Sequence, residues 1–391
     1  MYRILSIATA SFTLLAALAQ AQDLTPVGDV FQVNGLATGA QSLPSVDGTP
    51  DGGFVAVWLG PGVRAQRFDS AGNPVGAELQ IALPPVDVTD PGVAVKPDGS
   101  FLVTWQEGLW PNPVSTQGRL VDPSGQFVGN PFPVLAGGGG FEPIADVTSD
   151  GDYIVTWRNS NNDQSSRVFA TIFDQPGGTP PSFEVGRNQS SLATGADGTF
   201  AVVSRGYDPI MMFTDVRYGL YGNDGTVIAQ GPLEDFAGGP VAAMRPGGDF
   251  LALWATQAGG LSGAYIDSTG VVRREFLHSL TLPRNSTVAA AEPGNVLVSW
   301  ATGNMGDIGV QLLSATGDPL GGDFVINTTS IAFGLDVASL GSGEYVVVWA
   351  SEASPGADND QTSILGRRLR TPHVFSNGFE TGGMSAWTVF P

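Results

Sequence analysis

The stretch DGGFVAVW, residues 51–58, recurs along the chain as DGSFLVTW at 98–105 and DGDYIVTW at 150–157. Each copy is a glycine-containing turn followed by a largely apolar strand that ends in tryptophan. Seven copies are present, and the tryptophan position defines them: Trp58, Trp105, Trp157, Ser204 (a serine in the fourth copy), Trp254, Trp300 and Trp349. The mean spacing of about 48 residues is typical of propeller blades, which recur every ~40–50 residues.

Four short strands are predicted in each unit, and the second copy shows them clearly. Its first two strands are PGVAVKP (91–97) and FLVTW (101–105), and the next two are TQGRLVD (116–122) and PFPVL (131–135). Because side chains alternate along a strand, the second strand is apolar on both faces and must be covered on both sides. A blade between two neighbours meets this requirement. The sequence therefore predicts an all-β, seven-bladed β-propeller with four-stranded blades.

The ring is predicted to close through the N-terminus. The seventh copy has no evident fourth strand after SILGRRL (363–369). However, VGDVFQVNG (27–35) resembles GGDFVINTT (321–329), the fourth strand of the sixth copy. We therefore expect residues near 29–34 to complete the last blade, which removes the open sheet edges that would invite aggregation.

The ends of the chain and its charge indicate an exported protein. Residues 1–21 have the form of a signal peptide, with Arg3, an apolar stretch over 4–18 and a small-x-small site at Ala19-Gln20-Ala21. We predict a propeller over 22–371 and a C-terminal tail over 372–391. Cysteine is absent, so stability must come from burial. A net charge of −20 without a run of cations disfavours nucleic acid, and no second apolar run predicts a membrane span.

The repeat units resemble those of exported bacterial β-propeller-like proteins, with the pattern DGxFVVVW, then AQRFDxxGxPVG, then EFxVN. The first copy carries RAQRFDSAGNPVG at 64–76, followed by AELQI at 77–81. FSNGFETGGMSAW (375–387) resembles a C-terminal tail, FxDGFExGxxxxW, of exported proteins from some Gram-negative bacteria, with Asn377 in place of Asp. These resemblances imply an extracellular, cell-surface or periplasmic protein, and they imply no activity.

The sequence predicts no catalytic residues. Cysteine catalysis is impossible, only His278 and His373 could serve a serine nucleophile, and no G-x-S-x-G elbow is present. Zinc lacks its ligands, and no cofactor is expected, although SDGD (149–152) and ADNDQ (357–361) place oxygens at alternate positions and leave calcium possible. Paired carboxylates for glycan chemistry remain open among the 37 acids.

The connections after the tryptophan differ in length from copy to copy, whereas the glycine turns are uniform. Long ones lie at 106–117, 158–167, 205–215 and 350–361. Loops on a rigid scaffold commonly carry function. We therefore predict a ligand-binding patch formed by Trp110, Arg205, Tyr207, Met211, Met212 and Phe213. The repeated tryptophans are interpreted as core rather than as sugar-stacking residues.

Three functions stay open at the level of sequence. The first is an exported, non-enzymatic recognition or surface-interaction module with a protein or carbohydrate ligand. The second is a structural envelope protein without a specific ligand. The third is a polysaccharide hydrolase or lyase that uses carboxylates near the channel. A glycan array combined with a hydrolysis assay distinguishes them.

Overall fold

A computed structural model describes the chain from residue 24 to residue 371 with gaps. The described residues are 24–35, 39–83, 87–108, 114–135, 139–160, 166–175, 181–208, 213–235, 238–256, 261–278, 283–291, 294–302, 306–327, 332–352 and 362–371. They form seven four-stranded antiparallel sheets arranged in a ring. The predicted seven-bladed β-propeller is therefore confirmed. Within these ranges no helix has the length and apolar character needed to cross a membrane.

The strands follow one another in chain order, four to a blade. An N-terminal strand precedes the first blade: β1 (Thr25–Gln32). Blades one and two contain β2 (Ser42–Gly48), β3 (Phe54–Gly60), β4 (Gly62–Phe68), β5 (Pro74–Ala82), β6 (Val88–Val95), β7 (Phe101–Glu107), β8 (Ser115–Val121) and β9 (Phe127–Pro133). Blades three and four contain β10 (Phe141–Val147), β11 (Tyr153–Arg158), β12 (Arg167–Phe173), β13 (Ser182–Arg187), β14 (Ser190–Thr194), β15 (Thr199–Asp208), β16 (Phe213–Gly222) and β17 (Val227–Asp235). Blades five to seven contain β18 (Gly238–Met244), β19 (Phe250–Ala255), β20 (Leu261–Ile266), β21 (Val272–His278), β22 (Pro283–Ala291), β23 (Asn295–Thr302), β24 (Ile308–Leu313), β25 (Pro319–Val325), β26 (Ala332–Gly341), β27 (Glu344–Ser351) and β28 (Ser363–Arg370).

The seventh blade is completed by the N-terminal strand, as predicted. Its strand order is β1-β28-β27-β26, with Phe31 opposite Gly366 in the β1–β28 register. The pairing begins at Thr25, four residues before the predicted segment, and continues past the strand as a hydrogen bond from Val33 N to Ile364 O of 2.8 Å. The first and last segments of the chain are therefore held in one sheet.

The tryptophans at the ends of the second strands are buried between blades. Trp58, for example, is 1% exposed and packs with Val346 and Val348 of the seventh blade. Trp349 packs in the same way against Leu297 and Val310 of the sixth blade. Each of the six indoles thus contacts the blade that precedes its own, and their interpretation as core is confirmed.

The fourth blade has Ser204 where the others have tryptophan, and the preceding blade approaches this serine closely. A β-carbon on Gly186, in the outer strand of blade three, would lie 2.8 Å from Ser204 Oγ. An indole does not fit in that space. Tyr221 fills the interface instead, stacking on Phe200 at 5.1 Å and donating to Val185 O at 3.0 Å.

The two ends of the propeller differ. One end, called here the turn face, carries the tight hairpin turns between first and second and between third and fourth strands. Glycines with positive φ occupy these turns, such as Gly99 (φ +84) and Gly125 (φ +88), as two-residue and short hairpin loops require. The opposite end, called the loop face, carries the ends of the second strands and the starts of the inner strands. Arg205, one residue of the predicted ligand-binding patch, lies on the loop face.

Candidate functional site at the loop face of the channel

The inner strands surround a central channel. A cavity of about 320 Å³ lies in it, lined by residues from β2, β6, β10, β14, β18 and β26. Its polar lining includes Ser45, Ser190, Ser191 and Asp336. A cavity of this size lies at the small end of ligand-binding pockets.

Partly buried aspartates join neighbouring inner strands in this channel. Asp47 accepts from Gly48 N in its own strand and from Val95 N in the next blade, both at 2.8 Å. Two further aspartates make the same pair of bonds: Asp146 with Val147 N (2.8 Å) and Thr194 N (3.1 Å), and Asp336 with Val337 N (2.8 Å) and Val46 N (3.0 Å). Each carboxylate therefore satisfies edge donors that the sheets leave unpaired.

The channel raises the pKa of all three acids. Burial raises the pKa of Asp47 to about 8, and the charge of Asp146 adds to the effect. Burial likewise raises the pKa of Asp146 and of Asp336 to about 6. The backbone donors oppose these shifts, but desolvation of the carboxylates is the larger effect.

These shifts predict that stability decreases as pH rises from about 4 to 8. An acid whose pKa is higher in the folded state than its ordinary 3.8 binds its proton more tightly when the protein is folded. Its stabilising contribution is therefore complete at low pH, and it is lost as the pH rises through the pKa of the folded state. Between about pH 6 and 8, Asp47 should contribute at most about 1.4 kcal/mol per pH unit. Urea unfolding across this range should show the slope, and Asp47→Asn should flatten it. An unchanged slope in the variant contradicts the assignment.

At the loop face, the inner strands begin with strained residues. Leu43, Asp90, Glu142 and Asn188 have φ values of +49 to +54, uncommon for residues with a side chain. In the first three blades this residue precedes a proline and lies within an irregularity of the pairing with the second strand. Such bulges redirect side chains. Here they place the polar side chains of blades two to four around the channel mouth.

Arg158 is the centre of this polar group. It follows Trp157 at the end of β11 and is only 4% exposed. Its Nη2 pairs with Glu142 Oε1, and its Nη1 donates to Asn188 Oδ1 at 3.1 Å. Burial raises the pKa of the nearby Asp90 to about 6, the charge of Glu142 adding to the rise. A buried guanidinium is thus held between blades three and four by a carboxylate and an amide oxygen.

A short link between blades three and four lies beside Arg158. It consists of Arg187, the last residue of β13, and of Asn188 and Gln189, which lead to β14. Arg205 N donates to Gln189 O at 2.8 Å, and Arg205 Nη1 donates to Gln189 Oε1 at 3.3 Å. Arg167, on the third strand, is opposite Arg187 in the β12–β13 register. Three further arginines, Arg158, Arg167 and Arg205, therefore lie next to this link.

The structure describes only part of the predicted patch. Arg205 lies at the loop face, as expected for its position after Ser204. Residues 205–215 were predicted as a loop, but the structure extends β15 to Asp208 and begins β16 at Phe213, with Tyr207 opposite Thr214. Blade four thus projects a β-hairpin. Trp110, Met211 and Met212 lie outside the described residues, and the part of all six patch residues in a ligand site stays a prediction.

Sequence reasoning missed Asp90, Glu142, Arg158 and Asn188. Their signal was present in part, because Asp90-Pro91 and Glu142-Pro143 place an acid before the inner-strand proline in two successive copies. Arg158 and Arg205 also directly follow the repeat's tryptophan position in adjacent copies. Neither pattern indicates which blades meet at the channel mouth.

The described residues contain no group of three or more histidine, aspartate or glutamate side chains placed to hold a metal ion. The SDGD segment forms the turn between β10 and β11, where Asn223 Nδ2 donates to both Ser149 Oγ and Asp150 Oδ2 at 2.9 Å. The second oxygen-rich segment, 357–361, lies outside the described residues.

Comparison with known proteins supports the fold but no more specific relationship. No protein-family model and no curated protein sequence matches the chain. A protein of unknown function from Dyadobacter fermentans is similar in structure, with a TM-score of 0.55 and 12% identity over 89% of this chain and 99% of that one. The WD40 domain of Toxoplasma gondii coronin has a TM-score of 0.56 and 8% identity over 92% and 88% of the two chains, and a Hadza microbial sialidase has 0.50 and 11% over 85% and 66%. At these identities the likeness establishes a β-propeller.

Proposed function

We propose that this protein is an exported, non-enzymatic recognition module that binds a glycan or protein ligand at the loop face of its channel. The polar group of Asp90, Glu142, Arg158 and Asn188 is the observation that carries the proposal. Export rests on the signal-peptide pattern of residues 1–21 and on the resemblance of the repeats and tail to exported bacterial proteins.

The repeats help to distinguish residues that the fold requires, which recur in most blades, from residues that it does not require. Glycine turns, second strands and interblade aromatic residues occur in nearly every copy, so packing and closure explain them. Among the described residues, Arg158 is the only buried arginine that directly follows the tryptophan position, and its partners are Glu142 and Asn188. A buried ion pair weakly supports stability, because the desolvation of its charges offsets much of their attraction. Its presence at the channel mouth therefore supports a ligand-directed role.

The blade-four hairpin supports the same location. The strands β15 and β16 are ten residues each, whereas the second and third strands of blade three have six and seven. The extension rises at the loop face next to the link that contacts Arg158 and Arg205. Recognition surfaces are commonly formed by such projections on a rigid scaffold.

Replacing Asn188 by glycine should weaken ligand capture at least about tenfold while leaving the fold intact. Glycine accepts the φ of +54 without strain, and the change removes an amide that holds the Arg158 guanidinium. The mature chain, residues 22–391, is screened on a glycan array and as bait for surface proteins. The affinity of each captured ligand is then measured for both proteins.

Ser342→Gly is the matched control. Ser342 also has a positive φ, +53, but lies in the turn between β26 and β27 on the turn face. This variant should fold and bind like the unmodified protein. Equal capture by the unmodified protein, Asn188→Gly and Ser342→Gly would contradict a ligand site at the loop face. The absence of any captured ligand would favour a structural envelope role.

A hydrolase or lyase is the second candidate, favoured by one specific observation. Asp90 has a pKa raised to about 6, and the charge of Glu142 contributes to that shift. Two neighbouring carboxyl groups, one of them with a raised pKa, are the arrangement by which glycosidases divide acid and base roles. Release of new reducing ends or unsaturated sugars by the mature chain in the same screen would replace the recognition proposal with an enzymatic one.

A further inference from the structure

Inner strands of adjacent blades are joined in the channel by side chains that use one register position. This position lies opposite the residue that precedes the tryptophan position in the second strand. From it, Asp336 Oδ2 accepts from Val46 N, and Ser191 Oγ accepts from Ala242 N, both at 3.0 Å. In each case the donor belongs to the next blade, so the contact satisfies a backbone N–H at the free edge of an inner strand.

Blades two and three have no acceptor at this register position. It is occupied there by Gly92 and Ile144, whose side chains offer no oxygen. The corresponding donors of the next blades are Ala145 N and Leu192 N, which hold the same register position as Val46. Among the described residues, these two N–H groups therefore face the channel without a side-chain acceptor. Both residues line the cavity of about 320 Å³, as Gly92 and Ile144 do.

The absence of a side chain at Gly92 leaves a small space that is bordered by polar atoms. A β-carbon there would lie 3.1 Å from Thr104 Oγ1, 3.5 Å from Pro143 O and 3.9 Å from Ala145 N. Thr104 is 0% exposed, and its hydroxyl has no hydrogen-bond partner within the described part of the chain. Buried polar groups are normally satisfied. A ligand hydroxyl, which both accepts and donates, would serve the amide and the carbonyl together.

Another wall of the cavity carries the opposite chemistry. Asp336 lines it with a carboxylate, which only accepts, and belongs to blade seven, across the ring from blades three and four. Pro91, Pro143 and Pro240 supply apolar surface in the same cavity. The lining residues that the structure describes include no lysine or arginine, so an anion would meet Asp336 without a counter-charge. The cavity therefore fits a neutral ligand with several hydroxyl groups.

We propose that this cavity holds one neutral sugar unit at the end of a glycan chain. One hydroxyl of the sugar occupies the space beside Gly92, a second donates to Asp336, and the proline rings pack against the C–H groups of the sugar ring. The inference rests on the proposed function and specifies its ligand class. The rest of the glycan leaves through the mouth past Asp90 and Glu142, each of which directly precedes a proline of the cavity wall.

A peptide meets these requirements less well than a sugar. Beside Gly92 a peptide carbonyl would only accept, so its oxygen would lie against Pro143 O. A sugar carries hydroxyl groups on several sides of one compact ring, which suits donors on one wall and a carboxylate on another.

Gly92→Ser in the mature chain tests the proposal. The new hydroxyl should fill the space beside Thr104 and accept from Ala145 N, as Ser191 accepts from Ala242 N. We expect an unchanged or higher melting temperature and a loss of affinity of about 10- to 100-fold, the range for one well-placed hydrogen-bonded group. Affinity is measured by calorimetry with tetrasaccharides of β-1,4-linked glucose, galactose, mannose and xylose. At least one should bind, with little dependence on salt because the ligand is neutral.

Gly322→Ser is the matched control. A β-carbon on Gly322, in the outer strand of blade six, would meet no atom within 4 Å, so this variant should bind like the unmodified protein. Thr104→Val is a second test that removes the unpartnered hydroxyl with little change of shape. It should keep the melting temperature and weaken binding about 2- to 10-fold. Its own control is Thr171→Val, because Thr171 also has a buried hydroxyl without a partner among the described residues but does not line the cavity.

The sugar site and the recognition function can fail separately. Loss of binding in Gly92→Ser with an intact melting temperature supports the sugar site, and Thr104→Val decides if Gly92→Ser lowers that temperature. Full affinity in Thr104→Val and in a folded Gly92→Ser, or binding of acidic glycans or peptides alone, overturns the sugar site. The recognition function then still stands if Asn188→Gly weakens capture of the ligand that does bind. If the mature chain binds no glycan and no protein, both proposals are wrong.

Discussion

Deletion of residues 27–35 should abolish the cooperative unfolding of the propeller. These residues contain most of β1, which is the fourth strand of the last blade, so the deletion exposes the edge of β28. It also removes Phe31, whose ring lies 6.1 Å from Phe54 and 5.9 Å from Phe68 in blade one. The seventh and first blades then lose both a sheet strand and part of their shared core. Urea and thermal unfolding, followed by circular dichroism and tryptophan fluorescence, should give broad transitions that no longer coincide.

Asn34→Ala is a milder test of the same ring closure. Asn34 Nδ2 donates to Gln41 Oε1 at 2.6 Å, and Asn34 Oδ1 accepts from Ile364 N at 2.9 Å. Because Asn34 is buried, its loss should reduce the free energy of unfolding by about 1–3 kcal/mol while the transition stays cooperative. A deletion variant that melts as sharply, and at the same temperature, as the mature chain would show that closure by β1 is dispensable.

Trp349→Ala should lower the free energy of unfolding by about 3–5 kcal/mol, the usual cost of truncating a buried aromatic side chain. The indole is 1% exposed and lies in the cluster that joins blades six and seven, with Leu297, Val310 and Leu365. Because the neighbouring blades belong to a closed ring, they cannot move freely into the cavity that the missing indole leaves. The midpoint of urea unfolding, at constant slope, measures the loss.

Leu277→Ala provides the control for this truncation. Leu277 belongs to β21 and is 69% exposed, so its truncation removes little buried area and should change stability by less than about 0.5 kcal/mol. Trp349→Phe should fall between the two, because a ring remains in the interface. A Trp349→Ala variant as stable as Leu277→Ala would mean that the interblade indoles do not hold the ring together.

The sequence predicted the fold because each element repeats. Six of the repeated strands end in tryptophan and are apolar on both faces, so each strand must be packed against protein on both sides. A propeller, in which every blade lies between two others, provides this packing for every copy. The similarity between residues 27–35 and 321–329 predicted the closing strand, although the pairing starts earlier, at Thr25. The reason is that strand pairing continues as long as both backbones remain extended, beyond the part that the repeat pattern marks.

The sequence predicted on which face of the propeller the candidate site lies, but few of its residues. Variable connections after the tryptophan indicated the loop face, and Arg205 was among the residues chosen there. Arg158, Arg187 and Arg205 lie 29 and 18 residues apart, so no run of cations reveals them. Likewise, Asp47, Asp146 and Asp336 occur in separate copies, and nothing local shows that each binds the next blade. Residues 205–215 were read as a loop because their apolar residues and proline hide the extension of β15 and β16.

Local chemistry thus determined the strands, their turns, the number of blades and the strand that closes the ring, since each depends on the residues of one repeat unit and on their alternation. The ring determined the rest. It brings the starts of the inner strands of blades two to four together at one mouth and buries Arg158 between blades three and four. Distances between residues of different blades follow from the curvature of the closed ring, which no single repeat unit specifies.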